Sequence, residues 1–530
     1  MNNKKWEVRL PLIFSLALVA GMFLGYKLTQ NTGRGLFGSN KQSALQEALE
    51  LIKYRYVDAV NPDTLEQNAI IEMMNGLDPH SVYLPPVDLK EANEELAGNF
   101  EGIGVEFNVF DDTVTVTYVI PEGPSDKAGV VAGDKIIKAG DSSLLQKNIS
   151  TEKIKSLIKG PRKSTVLLTL VRNGKIEQKK VIRGVIPTPS LEASYLLDKN
   201  TGYMKLSRFS ETTYEEFMES LEALQANGMT QLILDLRGNG GGLLNEAVQM
   251  ADEFLGGDKL IVYTEGLHSK RKEFRGERPG LFEKGKLVLL VDEFSASASE
   301  VLAGAVQDWC RGTVIGRTTF GKGLVQEQYI LQDGSAIRLT VARYYTPLGR
   351  SIQRSYQNGK KVYMDEALDR YHSDSLSKKD TAFKKEKEKK YFTNCGDTLF
   401  AEGGITPNLK IPPPQDINLP HTNLLLASLG EFSNFTFQFY RKNETYLKKF
   451  TSANDLLKDA NLKKQLWEGF VMHNRNSAAN YQIATPGEKS LIVERLLATL
   501  ARYQWRNDGF YQVVNANDPY LQTALQHLKK

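Results

Sequence analysis

Two short apolar runs, Gln231-Leu-Ile-Leu-Asp-Leu236 and Lys286-Leu-Val-Leu-Leu-Val291, give way to helical spacing. Each run is too short for a helix and predicts a buried strand. After the first, Leu243, Leu244, Ala247, Val248 and Ala251 recur at helical intervals; after the second, Val301, Leu302, Ala305, Val306 and Trp309 do so. Between about Gly98 and Pro187 the pattern changes to short strands punctuated by glycine. Thr113-Val-Thr-Val-Thr-Tyr-Val-Ile120 alternates with a period of two, and Val166–Val171 and Ile176–Ile182 flank Asn173-Gly174, a hairpin signal. Leu45 to Met74 carries helical spacing, and the chain from about Asn418 onward is helical again.

The chemistry concentrates at the two strand-to-helix junctions. The second carries Ser295-Ala-Ser-Ala-Ser-Glu300, where the first N–H groups of a helix lack intrahelical partners and can stabilise an oxyanion. A serine hydroxyl needs a base to become a nucleophile. None of the six histidines lies in either glycine-rich segment, whereas Lys322 sits between Gly321 and Gly323 with Gln326 four residues on. Lysine titrates near about 10.4, so it must be desolvated to act as a base near neutral pH. The Gln326 amide can hold the neutral amine without adding charge. Ser297-Ala-Ser-Glu300 equally fits a capping box, which needs no catalytic role. At the first junction, Arg237-Gly-Asn-Gly-Gly-Gly242 lacks the Gly-Lys-Ser/Thr ending of a phosphate-binding loop and the last glycine of a dinucleotide fingerprint.

Ser-Ala-Ser-Ala-Ser-Glu followed by Thr319-Phe-Gly-Lys-Gly-Leu-Val-Gln326 resembles the signature of the carboxy-terminal processing peptidases, or tail-specific proteases. Arg343-Tyr-Tyr-Thr-Pro-Leu-Gly-Arg-Ser-Ile-Gln353, Leu77-Asp-Pro-His-Ser-Val-Tyr83 and Gly403-Gly-Ile-Thr-Pro407 extend the resemblance over roughly residues 41–412. It implies Ser297 as nucleophile, Lys322 as base, Gln326 as its support, and Gly241 and Ala298 as oxyanion donors. Gly240 replaces the family's proline in that loop, which leaves Gly241 against Gly242 open. Residues 98–187 resemble the PDZ domain inserted in these proteases, with Gly102-Ile103-Gly104-Val105 as the loop that holds a peptide's terminal carboxylate. His80 is expected to be a structural turn residue. The implied fold is a multidomain α/β serine-protease core, residues 188–412, with an inserted PDZ domain, an N-terminal helical region (41–97) and a helical C-terminal extension (413–530). The implied mechanism needs no metal or cofactor.

Length fits three or four domains, and 41% hydrophobic with 25% charged residues is ordinary for a globular chain. A net charge of +4 without a basic, aromatic-interleaved patch argues against nucleic acid as a partner. Lys378–Lys390, lysine-rich but carrying acids too, is expected to be a solvated insertion. Lys4, Lys5 and Arg9 precede an apolar run from Leu10 to Gly25, which predicts a signal anchor over residues 1–30, with a cleaved signal as the alternative. The expected location is the bacterial cytoplasmic membrane with the remainder periplasmic or otherwise extracytoplasmic. Cys310 and Cys395 are the only cysteines, and their pairing is left open. Expected partners are proteins or peptides with free C-termini; an activating or adaptor protein and a homo-oligomer remain open. The rival reading is a tethered peptide receptor that has lost turnover, and a second is an acyl-transferring or ester-cleaving enzyme with the same dyad.

Overall fold

A computed structural model of the chain describes residues 11, 14–23, 43–372, 389–401, 403–412, 422–475 and 481–530. The chain divides into two compact units, 1–76 and 77–530. In the first, the helical stretch after Leu45 is two helices, Ala44–Arg55 and Pro62–Asn75. Asn61 caps the second, its side chain accepting the Asp63 and Thr64 N–H groups, with Pro62 at the first helical position. Residues 14–23 are helical, but most of the expected anchor lies outside the described residues. Among the described residues no helix is long and apolar enough to cross a membrane.

The second unit is built on a six-stranded sheet. Leu191–Leu196 runs antiparallel to Thr201–Leu206, and Gln231–Asp235, Lys286–Val291, Thr313–Gly316 and Leu409–Lys410 then follow in parallel. Both predicted apolar runs are therefore adjacent central strands. They are apolar on both sides because both faces are covered. Leu232, Leu234, Leu287 and Leu289 pack with the helices Thr213–Ala226, Leu244–Phe254 and Ala298–Asp308. Ile233, Val288 and Leu290 pack on the opposite face with Leu521, Ala524 and Leu528 of the last helix, Pro519–Leu528.

That last contact joins the C-terminal extension to the sheet. The extension has its own core around Leu447, Leu466, Phe470, Leu496 and Leu500, yet its end supplies one layer of the catalytic sheet. Asp508 accepts the Ser194 N–H at 2.9 Å and Asp518 pairs with Arg237 at 2.6 Å. Helical spacing revealed the helices but carried no information about which sheet face they would cover.

The inserted domain is an antiparallel sheet in the order Val105–Phe110, Thr113–Val119, Lys135–Ala139, Thr165–Arg172, Lys175–Ile182, closed by the helix Thr151–Ile158. Asn173 and Gly174 both adopt positive φ, as the predicted two-residue hairpin requires. The domain leaves the core through paired strands, Asn99–Gly102 and Gly184–Pro187. A second sheet carries Leu324–Ile330 against Ala336–Tyr345, which also pairs with Val82–Leu84 and Leu260–Glu265. Cys310 and Cys395 form a disulfide, with Cα atoms 6.3 Å apart.

Leu521→Ala should lower the stability of the second unit by about 2–5 kcal/mol, the cost of a buried leucine truncation. A urea-unfolding midpoint within error of wild type would show that the last helix does not carry this face of the sheet.

Candidate active site

The repeated serines at the second junction separate by environment. Ser295 and Ser299 are fully buried, and their hydroxyls donate to the carbonyls of Leu236 (2.8 Å) and Asn239 (3.0 Å). They tie the serine junction to the neighbouring glycine-rich loop. Ser297 lies between them on the wall of a cleft of about 230 Å³, whose other lining residues include Gly242, Ala298, Lys322, Gln326 and Arg338. Its backbone has φ 55°, ψ −114°, a sparsely populated conformation at the start of the helix Ala298–Asp308.

Glu300 holds that turn. Its carboxylate accepts the Ser297 N–H at 2.9 Å, the half of the expected capping box that reaches back. The same carboxylate accepts the Thr319 hydroxyl at 2.5 Å, the Gly321 N–H at 2.7 Å and the Lys322 N–H at 2.9 Å. Burial pushes the Glu300 carboxyl above its ordinary range, and these donors oppose the shift. The Tyr344 hydroxyl spans the same two segments, 2.6 Å from the Lys322 carbonyl and 3.1 Å from the Ser297 carbonyl.

Lys322 is drawn below its ordinary value, chiefly by desolvation and then by the Arg338 charge; Glu300 and Asp78 act the other way. Ser297 and Lys322 line one cleft, and no hydrogen bond joins the Ser297 hydroxyl to the Lys322 ammonium in this conformation. Gln326 donates its amide N–H to the His80 carbonyl. His80 is thus part of a turn, as expected, but that turn adjoins the cleft. Neither Glu300, Tyr344 nor the Asp78–His80 turn was singled out for this role by sequence; the Asp-Pro-His-Ser pattern signals a local turn, and only the sheet pairing reveals what it faces.

The glycine-rich loop differs in detail from expectation. Gly241 donates its N–H to Asn239 Oδ1 at 2.9 Å, so in this conformation it is not available to an oxyanion. Gly242 lines the cleft instead, as does Ala298, the first residue of the serine helix. Gly241 is required for space: with φ +99°, a Cβ there would lie 2.7 Å from both the Ala296 carbonyl oxygen and Ser297 Cβ.

In the inserted domain, the Ile103 and Gly104 carbonyls accept the Ser125 (3.0 Å) and Ile120 (3.1 Å) N–H groups, and Gly104 has φ +73°. Within the Gly102-Ile103-Gly104-Val105 segment, the Ile103 and Gly104 carbonyls are thereby engaged inside the domain. Val105–Phe110 pairs with Thr113–Val119 on one side and stands at the end of the sheet order on the other.

Comparison with known proteins agrees with this architecture. A family model described as "Peptidase family S41" matches residues 200–360, and a "PDZ domain" model matches residues 102–182. The chain is 32% identical over 347 residues to the carboxy-terminal-processing protease of Bartonella bacilliformis, covering 63% of this chain and 79% of that one. It is 34% identical over 320 residues to the carboxy-terminal processing protease CtpA of Bacillus subtilis, covering 60% and 68%. A probable CtpA-like serine protease of Staphylococcus haemolyticus is 29% identical over 474 residues, covering 88% and 89%. The chain belongs to peptidase family S41 and, within it, to the carboxy-terminal processing proteases: it is a serine-type peptidase carrying a PDZ domain.

Gly241→Ala should abolish labelling of Ser297 by a fluorophosphonate while the far-ultraviolet circular dichroism stays unchanged, because the new methyl group displaces the serine turn. Labelling at the wild-type rate would mean that the glycine loop does not set the serine position.

Proposed function

We propose that this peptidase captures the C-terminus of a polypeptide on its PDZ domain and cleaves the chain with Ser297 as nucleophile and Lys322 as general base. The observation that carries this reading is the shared cleft: a strained, partly exposed serine at a helix entrance opposite a lysine whose burial favours its neutral form. In the reaction, Lys322 takes the Ser297 proton as the hydroxyl attacks the scissile carbonyl, then returns it to the leaving amine. Water repeats the sequence on the acyl-enzyme. Gln326 supports the lysine, and the N–H of Ala298 with that of Gly242 receives the oxyanion; Gly241 serves only if its bond to Asn239 breaks. Serine and lysine come into hydrogen-bond contact when substrate closes the cleft, a tightening that resting enzymes commonly need.

Peptide capture is supported by the edge of Val105–Phe110, unpaired among the described residues, which can take an added strand whose terminal carboxylate meets the N–H groups of Gly102–Val105. A setting outside the cytoplasm is supported by the Cys310–Cys395 disulfide, since such bonds persist in oxidising compartments. The apolar run of residues 10–25 would then serve as a membrane anchor.

Ser297→Ala, Lys322→Ala and Lys322→Arg should each reduce cleavage of an unstructured protein substrate by roughly 10⁴-fold, because arginine does not give up its proton. The neutral amine is the active form, so kcat/KM should rise with pH through a lysine value below the ordinary one and fall on acidification. A pH-independent rate with chemistry limiting, or an active Lys322→Arg, would remove Lys322 from this role.

Amidating the substrate's C-terminus should raise KM by about 10–100-fold, the loss of charged hydrogen bonds of roughly 1.5–3 kcal/mol. An unchanged KM would show that the PDZ domain does not read the terminal carboxylate.

A further inference from the structure

Behind the cleft, the turn at residues 77–81 is fastened with more hydrogen bonds than a connection between elements requires. Asp78 Oδ1 accepts the His80 N–H (2.9 Å), the Ser81 N–H (3.1 Å) and the Thr340 hydroxyl (3.0 Å), while Oδ2 accepts the Ser81 hydroxyl (2.5 Å). The Ser81 hydroxyl oxygen in turn accepts the Thr340 N–H at 3.1 Å. Thr340 is the residue paired with Gln326 across the two strands. The turn is thus anchored to the neighbour of Gln326.

A second set of contacts fixes the His80 ring. Its Nε2 lies 2.9 Å from the Tyr363 hydroxyl, and its edge meets the Tyr363 and Phe320 rings at centroid distances of 5.3 and 6.2 Å. Burial, and then the Lys322 charge, push the His80 imidazole down to about 4, so the ring stays neutral over the working range of a lysine base. Lys322 therefore has Glu300, Asp78 and Arg338 as its charged neighbours and gains no second cation from His80.

The consequence falls on the Gln326 amide. A backbone carbonyl can only accept, so the bond to His80 obliges Gln326 to present its nitrogen there. Its oxygen is left for the cleft that Gln326 shares with Lys322. A lysine that aims its lone pair at Ser297 must place its N–H groups on acceptors; with the amide reversed, N–H groups would face N–H groups.

We propose that the Asp78–His80 turn is a positioning element of the peptidase, holding the His80 carbonyl against Gln326 so that the amide oxygen, not the nitrogen, meets the Lys322 amine. This rests on the assignment of Lys322 as base. His80 and Tyr363 are positioning residues that act through Gln326 and touch no substrate.

The test follows the rate of Ser297 modification by a fluorophosphonate against pH, in the full chain. Wild type, Lys322→Ala, Gln326→Met, His80→Phe, Tyr363→Phe and the two double variants with Gln326→Met are compared, with thermal melts run on each. Tyr363→Phe keeps the ring and guards against a folding defect in His80→Phe. His80→Phe and Tyr363→Phe should each slow modification by about tenfold, in the range of a small misplacement at a catalytic group. Their rising limb should move to lower pH, as in Gln326→Met, because the ammonium form loses an acceptor. Added to Gln326→Met, neither should slow the reaction further, the mark of residues acting as one unit. Losses that multiply in the double variants, or a reduced rate with an unmoved limb, would overturn the positioning role while leaving Lys322 as base. A Lys322→Ala chain modified as fast as wild type would overturn the base assignment, and the positioning role with it.

Discussion

A single buried carboxylate holds the two halves of the candidate active site in register. Glu300 takes N–H bonds from Ser297, Gly321 and Lys322 and the hydroxyl of Thr319, so the serine turn and the lysine loop share one acceptor. The buried donors, the Thr319 hydroxyl and the Gly321 N–H, would otherwise be stranded away from water at about 1–3 kcal/mol each. Tyr344 braces the same pair of segments through their carbonyls. Backbone positions are therefore set by rigid groups, and what remains adjustable is the side chains of Ser297 and Lys322 themselves.

The C-terminal extension extends this economy of shared supports to the whole second unit. Its last helix seals one face of the catalytic sheet, and Asp518 at the start of that helix holds Arg237, the residue that opens the glycine-rich loop. Higher up, the long helix Pro486–Val514 breaks at Trp505–Arg506, where Arg506 adopts φ 56°. Arg506 there lies 3.5 Å from the Tyr118 ring centroid and pairs with Glu106, which also meets Arg502 at 3.3 Å. Phe437 packs on Phe110 with ring centroids 5.9 Å apart. The extension therefore grips the sheet of the PDZ domain on residues of its edge strand and next strand, while holding the catalytic sheet with its other end.

Local chemistry was legible in the chain wherever the requirement was local. A strand, a serine turn and a helix must be contiguous, so Leu287–Trp309 reads correctly in one dimension; Asn173-Gly174 announces its hairpin because two positive φ angles are needed there. What escaped were contacts set by sheet pairing. Glu300 reads as a helix cap, and it does accept the Ser297 N–H, but its bonds to Thr319, Gly321 and Lys322 depend on a loop brought in from another strand. Gly241 and Gly242 could not be separated because the side chain of Asn239, two residues away, decides which N–H is already satisfied. His80 was read as a turn, which it is; that its carbonyl faces Gln326 follows from the pairing of Gln326 with Thr340.

The bond between Cys310 and Cys395 encloses 85 residues of sequence separation in a covalent ring. Lys322, Gln326 and Arg350 all lie inside it, as does the lysine-rich stretch 378–390, of which 378–388 lie outside the described residues. The ring decides what a backbone cut between Arg350 and Cys395 would do. Scission there would open the ring without releasing either arm: the segment bearing Lys322 would stay continuous with the serine helix, and the piece beginning before Cys395 would stay joined to it through sulfur. The C-terminal helix that seals the catalytic sheet belongs to that second piece, so a cut enzyme would keep its parts as a two-chain molecule.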